Sequence, residues 1–413
     1  MAKLSIIIPV YNMSEQLVQC ILTIQQTVRL PYEVIIVDDG SVEDERVSIS
    51  MGGGDIRILH SEEHRGFSHA VNMGIRASVG EVLLFLHADA LYHGWSSFVA
   101  TAEAIRARGK AAYPEILAEM IALMVRRDVV EAAGFLDEQY QVPALAAYDY
   151  TVRMTRAGYG IAVLPYVYVH HNEGRQKTEE YERTCERERA FFHTKWGVEL
   201  SYSFQERHDL FPLMDLQREG LRVLEIGCAC GGTLRAIGVQ NPSAKLYGVE
   251  LNENAAVIAA SFAEILSMNV EELDPADFQE RFDYIIMGDV IEHLLEPWAA
   301  ICNMRELLVP GGSIIASIPN VAHISNLYNM LCGRWTYEDC GLLDRTHFRF
   351  FTKSEIVKMF EEADLVIDDI RPRQLILDES WKVFREEILS LRMVDVKPED
   401  VDAFQWLVCA RRV

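Results

Sequence analysis

The sequence predicts an α/β protein with two domains, and three observations lead to this fold class. Short runs rich in Val, Ile and Leu alternate with segments of helical length, which is typical of parallel sheets covered by helices. Such a series occurs twice along the chain, and in both series acidic residues directly follow strands. The length of 413 residues is sufficient for two or three ordinary domains. We therefore predict domains over 1–175 and 219–413, joined by a helical linker over 176–218.

The first series consists of three predicted strands and two predicted helices. In chain order they are strand Lys3–Asn12, a helix over 14–27, strand Glu33–Ser41, helix Arg65–Ser78 and strand Glu81–Ala90. Asp38 and Asp39 lie at the end of the second strand, and Asp89 lies at the end of the third. Ligands of open α/β sheets bind beyond the carboxyl ends of the strands, so these acids are candidate site residues.

This order of elements resembles the family 2 inverting glycosyltransferases of the GT-A fold, over about Met1–Gly197. The segments GFLDE at 134, DYTVRM from 149, HHN at 170 and KWG at 195 also occur in family order. The resemblance implies a shortened GT-A domain that takes a nucleotide-sugar donor and a sugar or glycan acceptor. It also implies that Asp39 contacts the base or ribose, that Asp38 supports it, and that Asn72 and Pro9 line the donor pocket.

The metal and base positions of this family are altered here. The D-x-D metal motif maps to His87-Ala88-Asp89, where Asp89 keeps its carboxylate for Mn²⁺ or Mg²⁺, and the resemblance implies that His87 and His170 can contribute ligands. Ala146 and Ala147 stand where an acid pair usually precedes the aligned Asp149. Only 45 residues (134 − 89) separate Asp89 from the GFLDE segment, fewer than this fold usually has. Either Asp149 is the catalytic base, or this half binds nucleotide sugar or glycan without efficient transfer.

Between the two series lies a charged segment, RQKTEEYERTCERERAFFHTKW, without Gly or Pro before Gly197. Its composition predicts a helix that leaves the first domain with a solvated charged face.

The second series begins with RVLEIGCACG at 222–231, a buried strand followed by a loop of small residues. Glu250 lies 19 residues (250 − 231) beyond this loop, at the end of the next strand, where a carboxylate can accept hydrogen bonds from both ribose hydroxyls. The strand Phe282–Leu294 carries Asp289, Glu292 and His293 at its end, and Val309–Asn320 gives a further loop and strand. A helix and strand from SEIVKMFEEADLVIDDI and a last strand from AFQWLVCARR complete the series.

This second series resembles the class I S-adenosylmethionine (SAM) methyltransferases, which have a Rossmann-like fold, over about Leu200–Val413. The segment GRWTYEDCGLLDRTHFRFFT at 333–352 is similar to the subset that acts in bacterial polysaccharide biosynthesis. The resemblance implies that one group of residues shapes the methionine side of the SAM pocket: Glu225, Gly227, Cys228 and Gly231. It implies that Glu250 and Leu251 hold the ribose, that Asn269 and Val270 flank the adenine, and that Asp289 meets methionine and acceptor. Ala229 departs from the family, because it replaces the usual middle glycine of the loop.

Methyl transfer to a hydroxyl also requires removal of a proton, and histidine is the side chain best suited to this near neutral pH. Three histidines of the second series are candidates: His293, His323 and His347. We prefer His293 and then His347, because both fall in motifs that cover the carboxyl edge of the predicted sheet.

Composition restricts the function further. The net charge of −23 argues against a nucleic-acid partner, which would require clustered Lys and Arg. No apolar run approaches the length of a transmembrane helix or a signal peptide, although peripheral contact with membrane-bound glycan-assembly machinery stays open. The eight cysteines are scattered, so we expect reduced thiols in a cytoplasmic protein. Cys228 and Cys230 have C-x-C spacing, but no second pair of zinc ligands follows nearby.

The sequence therefore predicts a bifunctional enzyme of surface-polysaccharide biosynthesis, which methylates a sugar or glycan hydroxyl and transfers a sugar from a nucleotide sugar. The alternative is a methyltransferase whose N-terminal domain is a degenerate binding module for glycan or nucleotide. A non-catalytic scaffold of a glycan-assembly complex is a third hypothesis, against which Gly227, Gly231 and Glu250 argue.

Overall fold

The computed structural model describes residues 4–28, 30–42, 55–93, 113–115, 121–163, 168–171, 178–374, 379–391 and 396–413. The chain divides into two compact units, Met1–Leu200 and Ser201–Val413. Each unit contains its own β-sheet, and helices alternate with its strands along the chain. This arrangement confirms the predicted α/β fold class. Within the described parts of the chain, no helix is both long and apolar enough to cross a membrane.

Unit 1 is built around a five-stranded sheet with the order β3-β2-β1-β4-β7. Its strands are β1 (Leu4–Val10), β2 (Tyr32–Asp38), β3 (Asp55–His60), β4 (Val82–Leu86), β5 (Ala90–His93), β6 (Tyr113–Glu115), β7 (Ala122–Arg126), β8 (Ile161–Val163) and β9 (Tyr168–His171). Its helices are α1 (Ser14–Thr27), α2 (Phe67–Ala77), α3 (Arg127–Ala133), α4 (Pro143–Arg156) and α5 (Glu179–Trp196). β1, β2, β3 and β4 are parallel, whereas β7 runs antiparallel to β4. Two further antiparallel pairs, β5 with β9 and β6 with β8, lie outside this sheet.

The segment 176–218, predicted to be a linker, is divided between the two units. Helix α5 packs on unit 1, where the buried carboxylate of Glu188 accepts the backbone N–H groups of Gln141 and Val142 at 2.9 and 3.1 Å. Phe192 of the same helix is fully buried. The predicted helix therefore exists, but it has a docked face as well as a solvated one. The residues from Ser201 onward belong to unit 2.

Unit 2 is built around a seven-stranded sheet with the order β12-β11-β10-β13-β14-β16-β15. Its strands are β10 (Arg222–Ile226), β11 (Lys245–Glu250), β12 (Glu264–Ser267), β13 (Phe282–Gly288), β14 (Leu308–Pro319), β15 (Leu365–Gln374) and β16 (Ala403–Arg412). Its helices are α6 (Gly232–Gln240), α7 (Glu253–Ala259), α8 (Pro297–Leu307), α9 (Ile324–Leu331), α10 (Lys353–Glu362), α11 (Glu379–Leu389) and α12 (Pro398–Asp402). Strand β16 is antiparallel to both of its neighbours, and the other pairs are parallel.

The parallel strands of unit 2 bring several predicted residues to one edge of the sheet. β10, β11, β13 and β14 are neighbours in register, so their carboxyl ends meet. Gly227 follows β10, Glu250 ends β11 and Asp289 follows β13. This edge is where a ligand of an open α/β sheet is expected.

Candidate functional site

The loop between β10 and α6 has three residues with left-handed backbone. Gly227, Ala229 and Gly231 have φ values of +66°, +47° and +81°. A Cβ on Gly227 would lie 2.8 Å from Val290 Cγ2, and one on Gly231 would lie 3.0 Å from Ala259 Cβ, so both positions require glycine. The left-handed region costs a residue with a Cβ about 1–2 kcal/mol. Ala229 carries this cost at the position where the family usually has glycine.

Glu250 is the last residue of β11, and its side chain also binds the loop between β10 and α6. Its Oε2 accepts the backbone N–H of Ala229 at 2.8 Å, and its Oε1 accepts that of Asn252 at 2.7 Å. Each carboxylate oxygen has two acceptor positions, so Glu250 can still accept ribose hydroxyls. The carboxylate therefore stabilises the strained Ala229 backbone, a role that the sequence analysis did not predict.

Glu225 is a buried carboxyl group at the end of β10. Within the described part of the chain its Oε2 has no hydrogen-bond partner, although Thr233 bonds to the same carboxyl group. Burial raises the pKa of Glu225 to about 8. A buried carboxyl group with a free oxygen, directly before the loop, is suited to a cationic ligand group such as the amino or sulfonium group of SAM.

The remaining predicted SAM residues lie around the same strand ends. The Sγ of buried Cys228 packs against Gly248, where a Cβ would come within 2.7 Å of it. Burial raises the pKa of the Cys228 thiol well above its ordinary value, so this thiol is a neutral packing group. Asn269 accepts the backbone N–H of Glu271 at 3.1 Å and begins a short 3-10 turn. The adjacent Val270 is buried, whereas Leu251 is exposed.

Asp289 follows β13 with a φ of +56° and has a partner on each carboxylate oxygen. Oδ1 accepts Ser317 Oγ at 2.6 Å and Gln405 Nε2 at 2.8 Å, and Oδ2 accepts Arg207 Nη1 at 2.9 Å. Arg207 is in turn held by two bonds of 2.9 Å to Asp209. Three donors thus hold the Asp289 carboxylate at the edge of the sheet, which is a positioning role rather than that of a free proton acceptor.

Three residues beside Asp289 form a cluster. One ligand atom each from Glu292, His293 and His347 lies within 4.8 Å of the others. Glu292 is only 1% exposed, and neither of its carboxyl oxygens has a hydrogen-bond partner among the described residues. Burial and the nearby charge of Asp289 raise the pKa of Glu292 well above its ordinary value. The surroundings of this carboxyl group therefore favour its protonated form.

The two histidines of the cluster each place Nδ1 against a backbone carbonyl oxygen. His293 Nδ1 lies 3.2 Å from the carbonyl oxygen of Thr346, and His347 Nδ1 lies 3.3 Å from that of Leu342. A carbonyl only accepts, so each Nδ1 carries the hydrogen and each Nε2 keeps its lone pair. The rings meet edge to face, with centroids 4.7 Å apart. Burial, together with the neighbouring His293, lowers the pKa of His347 and favours this neutral form.

Such an arrangement can act in two ways. A neutral imidazole with a free Nε2 can accept a proton, as the sequence analysis proposed for His293 and His347. Two imidazoles and a carboxyl group, with each Nδ1 directed to a carbonyl oxygen, are also a suitable ligand set for a divalent cation. His323 is in a different setting, because its Nδ1 lies 2.8 Å from Ser325 Oγ at the start of α9. Its role at the beginning of that helix makes it the least suitable of the three histidines.

In unit 1, Asp38 and Asp39 bind the protein's own loops. Asp38 accepts the backbone N–H of Ser41 at 3.0 Å and lies 3.1 Å from His60 Nδ1. Asp39 accepts the backbone N–H of Gly66 at 2.7 Å and lies 2.8 Å from His64 Nδ1. Both carboxylates are buried at the carboxyl end of β2, as the sequence pattern predicted.

The other predicted donor-side residues are only partly described. Asn72 is buried, and its amide bonds to the Leu136 backbone and to Glu138, so it holds a loop in place. Pro9 lies in β1 opposite Val37. His87 Nδ1 contacts the carboxylate of Asp89, which brings two of the three predicted metal ligands together. The side chain of His170 lies outside the described residues, as do residues 94–112 and 116–120.

Asp149 occupies a structural environment. Its side chain is fully buried, and Oδ1 accepts Lys195 Nζ at 2.7 Å and Trp196 Nε1 at 3.0 Å. Oδ2 accepts Arg153 Nε at 2.9 Å. Two cations and an indole N–H occupy the carboxylate and shield it from an acceptor sugar. The geometry therefore argues against the predicted role of Asp149 as catalytic base and assigns it to the docking of α5.

Comparison with protein families agrees with both resemblances. Residues 5–108 match the family described as Glycosyl transferase family 2. Residues 199–370 match the family described as Methyltransferase domain. Unit 1 is thus similar to the family 2 glycosyltransferases and unit 2 to the methyltransferase domains, which agrees with the predicted resemblances.

Curated relatives match unit 2. A ubiquinone biosynthesis O-methyltransferase of Alkalilimnicola ehrlichii is 31% identical over 160 residues, which are 37% of this chain and 64% of the relative. The enzyme of the same name from Coxiella burnetii is 27% identical over 158 residues, 37% of this chain and 66% of the relative. The chain therefore spans slightly less than two thirds of the length of these relatives.

Similar solved structures include a SAM-dependent methyltransferase from Archaeoglobus fulgidus, 15% identical, with a TM-score of 0.38 and coverage of 54% of this chain and 99% of its own. The N-methyltransferase NodS of Bradyrhizobium japonicum, solved with S-adenosylhomocysteine, is 18% identical, with a TM-score of 0.32 and coverage of 49% and 83%.

Proposed function

We propose that unit 2 transfers a methyl group from SAM to a hydroxyl of a sugar or glycan, and that unit 1 takes a nucleotide-sugar donor. The observation that carries the methyl-transfer proposal is the cluster Glu292–His293–His347 at the carboxyl edge of the sheet. The curated relatives that match unit 2 are named as O-methyltransferases, which supports a hydroxyl acceptor. The glycosyltransferase match on the same chain supports a sugar as that acceptor.

In this proposal the acceptor oxygen attacks the methyl carbon in line as the bond from carbon to sulfur breaks. The hydroxyl proton passes to Nε2 of His293 or His347, and S-adenosylhomocysteine leaves. Binding in the correct orientation can supply about 7–11 kcal/mol of the barrier. Hydrogen bonds from Arg207, Ser317 and Gln405 fix the side chain of Asp289. In this proposal SAM and the acceptor bind next to Asp289.

The same three residues of the cluster fit a divalent cation. A cation held by Glu292, His293 and His347 would lower the pKa of a coordinated hydroxyl. In that case the histidines act as ligands through Nε2, and Glu292 loses its proton when the cation binds.

Methyl-transfer assays with a panel of sugars and glycans test the proposal. Replacing His293 or His347 with Ala should lower kcat by at least about 100-fold, because a proton acceptor or ligand is lost. SAM binding, measured by calorimetry, should stay within about twofold in both variants. The exposed His208, which pairs with Glu206, provides a matched control, and His208→Ala should be fully active. Full activity of both cluster variants would refute the assignment.

Chelation separates the two chemical roles. If the cluster holds a cation, dialysis against EDTA should abolish activity, added Mg²⁺ or Mn²⁺ should restore it, and Glu292→Gln should be inactive. If a histidine is the base, activity should persist after chelation and fall as pH drops through the imidazole pKa.

For unit 1 we propose binding of a nucleotide sugar, with transfer dependent on Mn²⁺ or Mg²⁺ at His87 and Asp89. The buried environment of Asp149 favours the alternative in which this domain binds the donor or glycan without efficient transfer. Transfer and hydrolysis assays with nucleotide sugars decide between these two forms.

We further propose a cytoplasmic role in polysaccharide biosynthesis, which loss of a methylated sugar from the glycan of a deletion strain would support.

A further inference from the structure

An unusual contact in unit 1 joins an aromatic ring, a histidine and a buried carboxylate. Tyr11 follows β1 and Asp39 follows β2, and these parallel strands are neighbours, so both residues lie at the edge where ligands of such sheets bind. The ring of His64 stacks on that of Tyr11, with centroids 3.8 Å apart and an interplanar angle of 17°. The Nδ1 of the same ring lies 2.8 Å from Asp39 Oδ2 and forms a hydrogen bond of 3.2 Å with the backbone carbonyl oxygen of Asp39.

His64 covers Asp39. The side chain of His64 is 49% exposed, whereas that of Asp39 is 4% exposed. The half-exposed ring of His64 therefore contacts both groups at this edge of the sheet, the face of the Tyr11 ring and the carboxylate of Asp39. Turning the ring away would expose both groups to a ligand.

The backbone around His64 is fixed, so only its side chain is free to move. Asp39 accepts the backbone N–H groups of Arg65 and Gly66. Gly40 has a φ of +76°, and a Cβ there would lie 2.6 Å from the backbone nitrogen of His64, so the two loops are in close contact. Rotation about the Cα–Cβ bond of His64 removes the ring without breaking any of these backbone contacts.

We propose that the imidazole of His64 occupies the position of a nucleobase and closes this site until a nucleotide displaces it. The inference rests on the proposed nucleotide site of unit 1. Imidazole is a flat heteroaromatic ring that stacks on Tyr11 and directs a ring N–H to Asp39. Uracil has the same two properties, because its ring is planar and its N3 carries a hydrogen. Cytosine has an unprotonated N3, which a carboxylate at this position repels.

Because a nucleotide must first displace the His64 ring, its apparent affinity for the site is reduced. When only a fraction of molecules has the site open, the apparent dissociation constant rises by the inverse of that fraction. Shortening the side chain at 64 leaves the site permanently open. Nucleotide binding should therefore become tighter when a residue that contacts the site is removed, which is the reverse of the usual effect of such a substitution.

Calorimetric titration of the full chain with uridine diphosphate tests the inference. His64→Ala should bind uridine diphosphate about tenfold more tightly than the unsubstituted chain. His60→Ala is the matched control, since His60 is 50% exposed and its Nδ1 lies 3.1 Å from the carboxylate of the neighbouring Asp38. Its affinity should stay within twofold of the unsubstituted chain. Cytidine diphosphate should gain less than threefold from His64→Ala, and thermal unfolding checks that each variant is folded.

The outcomes separate the inference from the proposal on which it rests. Equal or weaker binding of uridine diphosphate by His64→Ala, with measurable binding by the unsubstituted chain, overturns the role of His64 and leaves the nucleotide site in place. The same gain in His60→Ala also overturns it, because a general change in charge then explains the effect. Absence of binding in every variant, with and without Mg²⁺, removes the nucleotide site and the inference together.

Discussion

Binding of SAM to unit 2 should release a proton from Glu225. Burial raises the pKa of this carboxyl group from an ordinary value of 4.5 to about 8. At pH 7 about nine tenths of the free protein therefore carries the proton. The sulfonium and amino groups of SAM are positively charged and favour the ionised carboxylate, so the proton leaves when the cofactor binds.

The size of the effect follows from the pKa values. If bound SAM lowers the pKa of Glu225 by about two units, the protonated fraction at pH 7 falls from about 0.9 to about 0.1, which corresponds to about 0.8 protons released. The same shift makes SAM binding about 25-fold tighter at pH 8 than at pH 6.

Calorimetry in two buffers of different ionisation enthalpy, both at pH 7, measures the number of protons released. Glu225→Gln cannot titrate, so it should release none and should bind SAM with an affinity independent of pH. S-adenosylhomocysteine lacks the sulfonium charge and should release fewer protons than SAM. Equal proton release in the Gln variant would refute the assignment and point to another group, such as Glu292 or His347.

Three further predictions concern other carboxylates and the domain boundary. Glu250→Ala should weaken SAM binding tenfold or more, because the hydrogen bonds of Glu250 to the loop and to the ribose are lost. Glu250→Gln should weaken SAM binding less. An affinity for SAM that calorimetry finds unchanged in Glu250→Ala would contradict the ribose assignment. Asp149→Asn should destabilise unit 1 by about 1–3 kcal/mol, because Arg153 and Lys195 lose a charged acceptor while Lys195 keeps Asp137, and denaturant unfolding should detect this loss. A fragment of residues 201–413 should fold and bind SAM alone, whereas a fragment of 219–413 should be unstable by circular dichroism, because it lacks Arg207 and the apolar side chains that follow it.

Local patterns were sufficient to predict most of the fold. The helical spacing over 14–27 coincides with α1, because apolar residues at helical intervals must face the sheet. The β-branched runs that form β1, β2 and β10 are buried along most of their length, as parallel strands require. The location of the candidate site residues at one edge of the sheet was predictable from the same pattern, since parallel strands place their carboxyl ends together.

The partners of the predicted acids were not predictable from the sequence. Asp289 bonds to Arg207, 82 residues before it, and to Gln405, 116 residues after it. No local pattern connects such distant segments, and Arg207 lies in 176–218, the segment that the sequence predicted to be a linker. The docking of α5 was missed for the same reason, because the packed face combines one buried carboxylate, Glu188, and a partly exposed cation, Lys195, with Phe192, instead of the apolar stripe that usually identifies a packed helix face.

The carboxyl groups at the edge of unit 2 differ in a way that sequence could not predict and that chemistry can use. Asp289 has three donors, whereas the carboxyl group of Glu292 is buried without a hydrogen-bond partner among the described residues, which raises its pKa well above the ordinary value. A cation would bind the ionised form of Glu292, so cation binding at the cluster should weaken as pH falls, whereas a histidine base requires no ionisation of Glu292. Cation affinity measured between pH 6 and pH 8 therefore reports which of the two forms the site takes.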